Sequence, residues 1–481
     1  MTDVSLYGTR IRSLRRREGL TQADLAKRLS VSPSYINLIE NNRRPLSANL
    51  LLKLAREFKL DLGDFTAGDD GRVAADLVEA FGDPALVSGA GHGEDSPSKE
   101  ELVELATSMP TVANAVLNLY RAYRASRQSA ESIAERVNNG GSGTTIAANP
   151  TEEVNDLIQR RGNFFESIEA AAEALWSSAG LRSGEIYQQL IDHLAREHHI
   201  ETVMVTATDD AAMRRFDAER GVIRLNEVMP PRSRRFQLAH QIGLLTCSEL
   251  LDSIAAEDEL SGGEARSLLR VVLANYFAAA VLMPYEPFRK AAVEVRYDLE
   301  LLAHRYQTSF EQVCHRLTSL RRPGAEGIPL HFVRVDVAGN ITKRFTASGY
   351  RLPRFSGACP RWNVHDAFLT PGIFRIQLAR MPDGVVYFCV ARTVQRATGG
   401  YNQPHVVHSI GIGCQVEHAR DVVYADGVNL DALDAATPVG VTCRTCDQRD
   451  CEQRVFPSLS HPLHIDENVR GRSFYARSSP R

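Results

Sequence analysis

Apolar residues fall at three- and four-residue spacings through most of the first 320 positions. They fall at every second position over much of the rest, so the chain predicts helices first and strands after. Residues 6–65 read as five short helices, the first basic, with Ile11 and Leu14 turned inward. Thr21 precedes QADLAKRLSV and is placed to cap it. Ser32 caps PSYINLIENN, where Pro33 takes a first helical position that needs no N–H. That helix turns Ile36 and Ile39 inward, leaves Ser34, Tyr35 and Asn37 outward, and exits through Arg43 and Arg44.

Residues 67–98, around GAGHGEDSPS, predict a linker, and NNGGSGTTIAANP at 138–150 predicts a second flexible break. Between them, 99–137 regain helical periodicity through Leu102, Leu105, Val112, Val116, Leu119, Tyr120 and Tyr123. Helix resumes over 151–176 and near 184–198. The β-rich runs ETVMVTAT and GVIRLNE follow, and then helices through 233–320. Beyond Arg322-Pro323-Gly324, PLHFVRVDVAGNITKRF predicts two strands joined at Gly339-Asn340, and VVYFCVARTV and HVVHSIGIGC predict more. The longest apolar run, Val271 to Met283, is broken by Asn275 and stopped by Pro284. It falls short of the roughly 20 residues a membrane span needs and predicts a buried helix. The opening MTDVSLYGTRIRSLRRR carries no apolar signal region, so a cytoplasmic location without a membrane partner is the expectation.

Composition narrows the class. With 481 residues, 43% hydrophobic and 24% charged, the chain is neither disordered, collagen-like nor a coiled coil throughout, and its length suits several domains. The net charge of −3 points to no partner by itself. Residues 1–66, however, hold twelve Lys and Arg against seven Asp and Glu, which suits a head that binds a polyanion. The wording TQADLAKRLSVSPSYINLIENNRRP resembles the repressor-type helix-turn-helix of the xenobiotic-response-element family. The resemblance implies double-stranded DNA as partner, with Gln22 on a phosphate or base and Ser32, Ser34, Tyr35 and Asn37 at recognition positions. Arg43 and Arg44 suit phosphates, and Glu40-Asn41 closes the helix. Heads of this kind act in pairs on near-palindromic operators.

The stretches SRRFQLAHQIGLL at 233–245 and LANYFAAAVLMP at 273–284 resemble zincin-like peptidases that cleave phage repressors. Those enzymes place two zinc-binding His and a general-base Glu on one helix as H-E-x-x-H. Here His240 keeps the first position, Gln241 replaces the Glu and Leu244 replaces the second His. Val271, Val272 and Leu273 occupy the region where a further acidic ligand is expected. No catalytic residue is therefore assigned, and the domain is expected to serve dimerisation or to sense a small molecule in the vacated cleft. Arginines near aromatic residues suit phosphate and adenine, which nominates Arg161, Phe236, His240, Tyr276 and Arg305 as ligand contacts.

Eight cysteines lie at 247, 314, 359, 389, 414, 443, 446 and 451, and in a chain without a signal region they do not predict a disulfide framework. Cys443, Cys446 and Cys451 can share one centre beside Arg444, Arg449 and Arg454. A fourth ligand is expected from Cys359, which precedes Pro360, or else from Cys414; Cys247, Cys314 and Cys389 read as core. The triplet with a remote Cys-Pro favours an iron–sulfur cluster of the 4Fe–4S type over structural zinc.

Together with SGACPRWNVHDAF, ARTV, YADG and ATPVGVTCRTCDQRDCEQRVFP, these features resemble the short-chain fatty acyl transcriptional regulator family. The resemblance implies a homodimeric DNA-binding regulator of propionyl-CoA or related metabolism that senses a short-chain acyl-CoA and carries an iron–sulfur cluster. Two other readings stand beside it: a regulator for which the cluster is itself the signal, and a metallopeptidase acting on a repressor. The expected architecture is multidomain. An all-α helix-turn-helix head spans 1–66 and a linker with a helical segment spans 67–150. A degenerate zincin-like α+β domain for ligand sensing or dimerisation spans 151–322. An α+β C-terminal domain, with an antiparallel sheet and the cysteine cluster, spans 323–481.

Overall fold

The computed structural model describes parts of 8–15, then 18–58 with short gaps, 70–83, 97–138, 150–206, 212–257, 260–353 except 261, 358–396, 405–443 and parts of 446–456. The chain forms two compact units, one built on Met1–Ala148 and the other on Asn149–Leu352 with Gly357–Pro457.

The first unit is helical. α1 (Gln22–Leu29), α2 (Pro33–Glu40) and α3 (Ala48–Phe58) enclose a core of Ile11, Leu14, Leu25, Leu29, Ile36, Ile39 and Leu54. The predicted caps are present. Thr21 and Asp24 form a capping box, and the Tyr35 N–H donates to Ser32 Oγ at 3.2 Å. Residues 59–65, the end of the stretch predicted to hold five short helices, lie outside the described residues. α4 (Asp70–Phe81), α5 (Lys99–Ser108) and α6 (Pro110–Asn138) form a second core through Val73, Leu77, Leu102, Ala106, Ala113, Leu117 and Tyr120. α4 lies where composition predicts linker. Val73, Ala74, Leu77 and Ala80 are spaced for one helix face, and burying that face outweighs the Gly and Asp around it.

The second unit opens with α7 (Pro150–Arg160), α8 (Glu166–Ser178) and α9 (Ile186–His198). One continuous helix is expected over 151–176. Gly162 and Asn163 instead take left-handed φ of 60° and 54° and turn the chain, and the Asn163 amide donates to Thr318 Oγ1 at 2.9 Å. A three-stranded sheet has the order β1 (Glu201–Val205), β3 (Val222–Asn226), β2 (Arg214–Asp217), with β3 parallel to β1 and antiparallel to β2. β2, sequence RRFD, escapes the alternation pattern because it is short and mostly charged. α10 (Pro231–Thr246), α11 (Ser248–Glu257) and α12 (Gly263–Leu282) follow. α12 is long and apolar enough by composition to cross a membrane, yet most of it is buried within this unit. It crosses α10 closely at Gly243, where a Cβ would stand 2.7 Å from the Phe277 ring.

α13 (Tyr285–Glu294), α14 (Leu299–Arg305) and α15 (Phe310–Thr318) lead into a six-stranded sheet. Its strands are β4 (His331–Asp336), β5 (Ile341–Thr346), β6 (Arg375–Arg380), β7 (Val386–Arg396), β8 (Val406–Gln415) and β9 (Thr437–Pro438). The order is β5-β4-β8-β7-β6-β9, antiparallel except for the short β6–β9 pair. The predicted β4–β5 hairpin turns at Gly339, φ 83°, with Asp336 Oδ1 accepting the N–H groups of Ala338 and Asn340. Alternate strand residues serve different cores. Phe332, Phe388, Val390, Ile410 and Cys414 join α13–α15. Val333, Tyr387, Cys389 and Ala391 pack with Cys359, Trp362 and Val439.

Candidate functional site

In the head, the first turn of α2 presents Ser32 and Ser34 to solvent, and Asn37 is exposed one turn later. Tyr35 is half-buried beneath the Arg44 guanidinium, 4.8 Å from the ring centroid. Asn37 is aimed from below. Its amide donates to Gln22 Oε1 at 3.4 Å, and the Gln22 amide donates to Glu40 Oε2 at 2.8 Å. Glu40 is buried and also receives Arg15 through two bonds, at 2.6 and 3.1 Å. The hydrogen bond to Glu40 raises the Arg15 pKa. Sequence reasoning gives Glu40 only a closing role, yet it ties three helical segments together and sets the side chains that face outward. Beside Ser32 and Tyr35 a cavity of about 330 Å³ is also lined by Asn49 and Lys53, two residues the motif does not single out. Arg43 lies outside the described residues.

In the second unit, α10 carries the degenerate peptidase signature. His240 is buried, and its Nδ1 faces Arg214 Nη1 at 2.7 Å. Burial, with the Arg214 charge, lowers the His240 pKa to about 4, so the ring is neutral at physiological pH and accepts from the guanidinium. Arg214 comes from β2, the strand the pattern missed. Gln241 is also buried. His240 is thus a hydrogen-bonded core histidine whose Nδ1 lone pair is already engaged.

Tyr276 likewise has a structural setting. Its hydroxyl donates to Glu169 Oε1 at 2.6 Å, and its ring meets Phe165 edge-on at 5.3 Å. Glu169 is gripped by Arg316 through Nη1 at 2.5 Å and Nη2 at 2.9 Å, with both side chains essentially sealed from solvent. Arg316 Nε donates to the Met283 carbonyl at 3.0 Å, and Nη1 also donates to Ser319 Oγ at 3.0 Å. Burial alone would lower the Arg316 pKa, but Glu169 overrides it and raises it. No periodicity or motif points to this pair, because two charges 147 residues apart look like ordinary surface residues. Phe236 is partly buried between the α10–α12 core and the α13–α15 core. Arg305 is in a half-exposed pair with Glu294 at 3.1 Å, and Arg161 is exposed at the α7–α8 turn. The five nominated contacts have different partners: His240 meets Arg214, Tyr276 meets Glu169 and Arg305 meets Glu294, while Phe236 lies one turn before His240 on α10 and Arg161 lies on the α7–α8 turn.

The C-terminal cysteines are partly gathered. Cys359 and Cys446 are buried, and Cys443 and Cys451 are half-buried. The Cys359 N–H donates to the Val441 carbonyl at 3.1 Å, and Trp362 Nε1 donates to the Gly440 carbonyl at 3.1 Å, which pins this segment beside the tail. Gly440 is required here: a Cβ would stand 2.9 Å from Cys446 Sγ. Burial raises the Cys359 and Cys446 thiols. Backbone N–H groups of Gly440 and Arg361 pull Cys359 back down, as that of Gln448 does for Cys446. Arg454 was expected to stabilise thiolates. Its charge does favour the Cys446 thiolate against burial, and its guanidinium also donates to the carbonyls of Cys443, Cys446 and Gln448 at 2.6–2.8 Å and so shapes the loop; Arg444 and Arg449 lie outside the described residues. Cys414 packs on the opposite face of the sheet from Cys359, and burial, with Asp421 and Glu417 nearby, raises its pKa to about 12. Cys359 is thus the better placed of the two fourth-ligand candidates. Cys247, Cys314 and Cys389 are buried. The donor chemistry, four thiols with amides aimed at two of them, fits a thiolate-bound cluster or metal. Among the described residues, however, no three His, Cys, Asp or Glu side chains form a group that could hold a metal ion.

Three family profiles match in succession: a helix-turn-helix at residues 11–65, an IrrE N-terminal-like domain at 195–318, and the C-terminal domain of short-chain fatty acyl coenzyme A regulators at 319–475. A propionyl-CoA carboxylase regulator from Cereibacter sphaeroides is 41% identical over 464 residues, covering 96% of this chain and 97% of its own. Two transcriptional regulators of Mycobacterium tuberculosis are similar over 96% of this chain. PrpR is 39% identical with 94% of its length covered, and RamB is 36% identical with 96% covered. A solved structure of a Mycobacterium tuberculosis transcriptional regulator, 41% identical, superposes with a TM-score of 0.66 over 68% of this chain and 100% of that one. The chain belongs to the short-chain fatty acyl-CoA regulator family of helix-turn-helix transcriptional regulators.

Proposed function

We propose that this protein regulates propionyl-CoA or closely related short-chain acyl-CoA metabolism. In this reading it binds a near-palindromic operator as a homodimer in the cytoplasm and responds to an acyl-CoA bound by the second unit. The relatives' names support the metabolic assignment. The observation that carries the DNA-reading role is the exposed Asn37 amide on α2, oriented by Gln22 and the buried Glu40. An α-helix fits the major groove, and an Asn side chain there can bond a base edge in pairs. Asn37→Ala is expected to weaken binding to the protein's own promoter by about 1–3 kcal/mol and to leave binding to random DNA unchanged, measured by titration at fixed salt. Equal losses on both DNAs would refute the base-reading role.

His240 and Tyr276 have their polar groups engaged internally, so the acyl-CoA contact is assigned to Arg161, Phe236 and Arg305. The Arg305–Glu294 pair is half-exposed, and such pairs are weak enough for a phosphate to replace the carboxylate. Cys443, Cys446, Cys451 and Cys359 are assigned to an iron–sulfur cluster, with zinc as the alternative occupant. The thiol chemistry and the amides directed at Cys359 and Cys446 support this assignment.

A further inference from the structure

α6 is the longest helix described, running from Pro110 to Asn138, and it is apolar on two sides. Ala113, Leu117 and Tyr120 are buried against the α4–α5 core, and the Tyr120 hydroxyl bonds Asp83 at 2.9 Å. The other side is exposed: Met109, just before the helix, is 52% exposed, Val112 48%, Leu119 73% and Tyr123 37%. Val116, between them, is half-buried. Positions 109, 112, 116, 119 and 123 alternate steps of three and four, the heptad spacing of a coiled-coil seam. The spacing meets Ser126 next and resumes in the sequence at Ala130, Ile133 and Val137. Exposed Ala115 and Ala122 flank the seam, so the face between Met109 and Tyr123 holds no charge. It spans about 21 Å at 1.5 Å per residue. A helix apolar on two sides belongs inside an assembly, because a monomer rarely leaves a contiguous apolar stripe in water.

We infer that the Met109–Tyr123 seam of α6 docks on the same seam of a second copy, and that this helix pair joins two DNA-reading heads. Three observations select a second copy over a different partner. A heptad stripe is complementary to a helix of the same period, which α6 itself supplies, and two-fold pairing lets one patch serve both copies. Small Ala115 and Ala122 on the flank allow close approach and place no charge against its own copy. α6 also belongs to the compact unit that carries the single helix-turn-helix, so pairing there unites two heads without involving the second unit. The inference rests on the homodimer part of the proposed function and adds the surface that makes it.

Sedimentation velocity on the full chain tests it. The wild type is expected to be dimeric at micromolar concentration. Leu119→Glu and Val112→Glu are expected to weaken the dimer by about 100-fold or more, since pairing would bury two like charges. Both side chains are exposed within their own chain, so far-ultraviolet circular dichroism should match the wild type. Asn118→Glu, exposed on the same helix but off the seam, should stay dimeric. A monomeric wild type would overturn the inference, as would folded Leu119→Glu and Val112→Glu proteins that sediment as dimers. Failure of the DNA-reading role would show separately, as a wild type with no preference for its own promoter, and would leave the sedimentation result decisive for the seam.

Discussion

Glu169→Ala is expected to destabilise the second unit by about 3–5 kcal/mol. Arg316 is fully buried, and Glu169 is the carboxylate that neutralises it. Removing that carboxylate leaves an uncompensated guanidinium in the core and takes the acceptor from the Tyr276 hydroxyl. Because α8, α12 and α15 all meet at this pair, no local rearrangement brings water to the charge without opening the packing. Denaturant unfolding followed by circular dichroism measures the loss. The cost should belong to the stranded charge and not to missing attraction. Glu169→Leu combined with Arg316→Met, which removes both charges at similar volume, is therefore expected to recover most of the stability. A loss below about 1 kcal/mol for Glu169→Ala would place this pair in a far more solvated setting than its burial implies.

On the proposed iron–sulfur assignment, serine at any one of Cys443, Cys446, Cys451 or Cys359 is expected to leave the protein without iron, read by iron and sulfide assay and by visible absorbance after anaerobic purification. A cluster with four thiolate ligands tolerates the loss of one poorly, and the Cys359 and Cys446 sulfurs already receive backbone N–H groups that favour the thiolate. Cys414→Ser and Cys389→Ser should keep the iron. Cys414 faces the opposite side of the sheet, and Cys389 is a core residue whose Sγ lies 3.7 Å from His331 Nε2. Stoichiometric zinc without iron would convert the site to a structural zinc site. A Cys359→Ser protein with full iron content would remove Cys359 from the ligand set.

The head was legible in the sequence almost residue by residue. Its signals are local: caps one turn apart, a Pro at a first helical position, and Ile36 and Ile39 on one face. The β4–β5 hairpin was legible for the same reason, since Gly339 and Asp336 fix a turn within a few residues. What escaped depends on contacts distant in the chain. α4 was hidden by polar flanks although its apolar face is regular, and β2 is mostly charged yet delivers Arg214 to His240. The Glu169–Arg316 pair and the Arg454 cradle around the cysteine loop carry no spacing signal, because a charge reads as solvated until the fold encloses it. Of the H-E-x-x-H signature the sequence alone displays one histidine, with Gln241 and Leu244 in the other two chemical positions. That Arg214 engages the remaining histidine could come only from the tertiary structure.

In the proposed function, a short-chain acyl-CoA bound by the second unit changes how the head reads DNA. The most direct test is a titration of the anaerobically purified protein against its own promoter at fixed salt, without and with saturating propionyl-CoA, with acetyl-CoA and free CoA alongside. The proposed coupling should show as a shift of the binding midpoint by at least about fivefold with propionyl-CoA or a closely related acyl-CoA, the lower end of ordinary allosteric coupling. Midpoints that coincide with and without every short-chain acyl-CoA would contradict it.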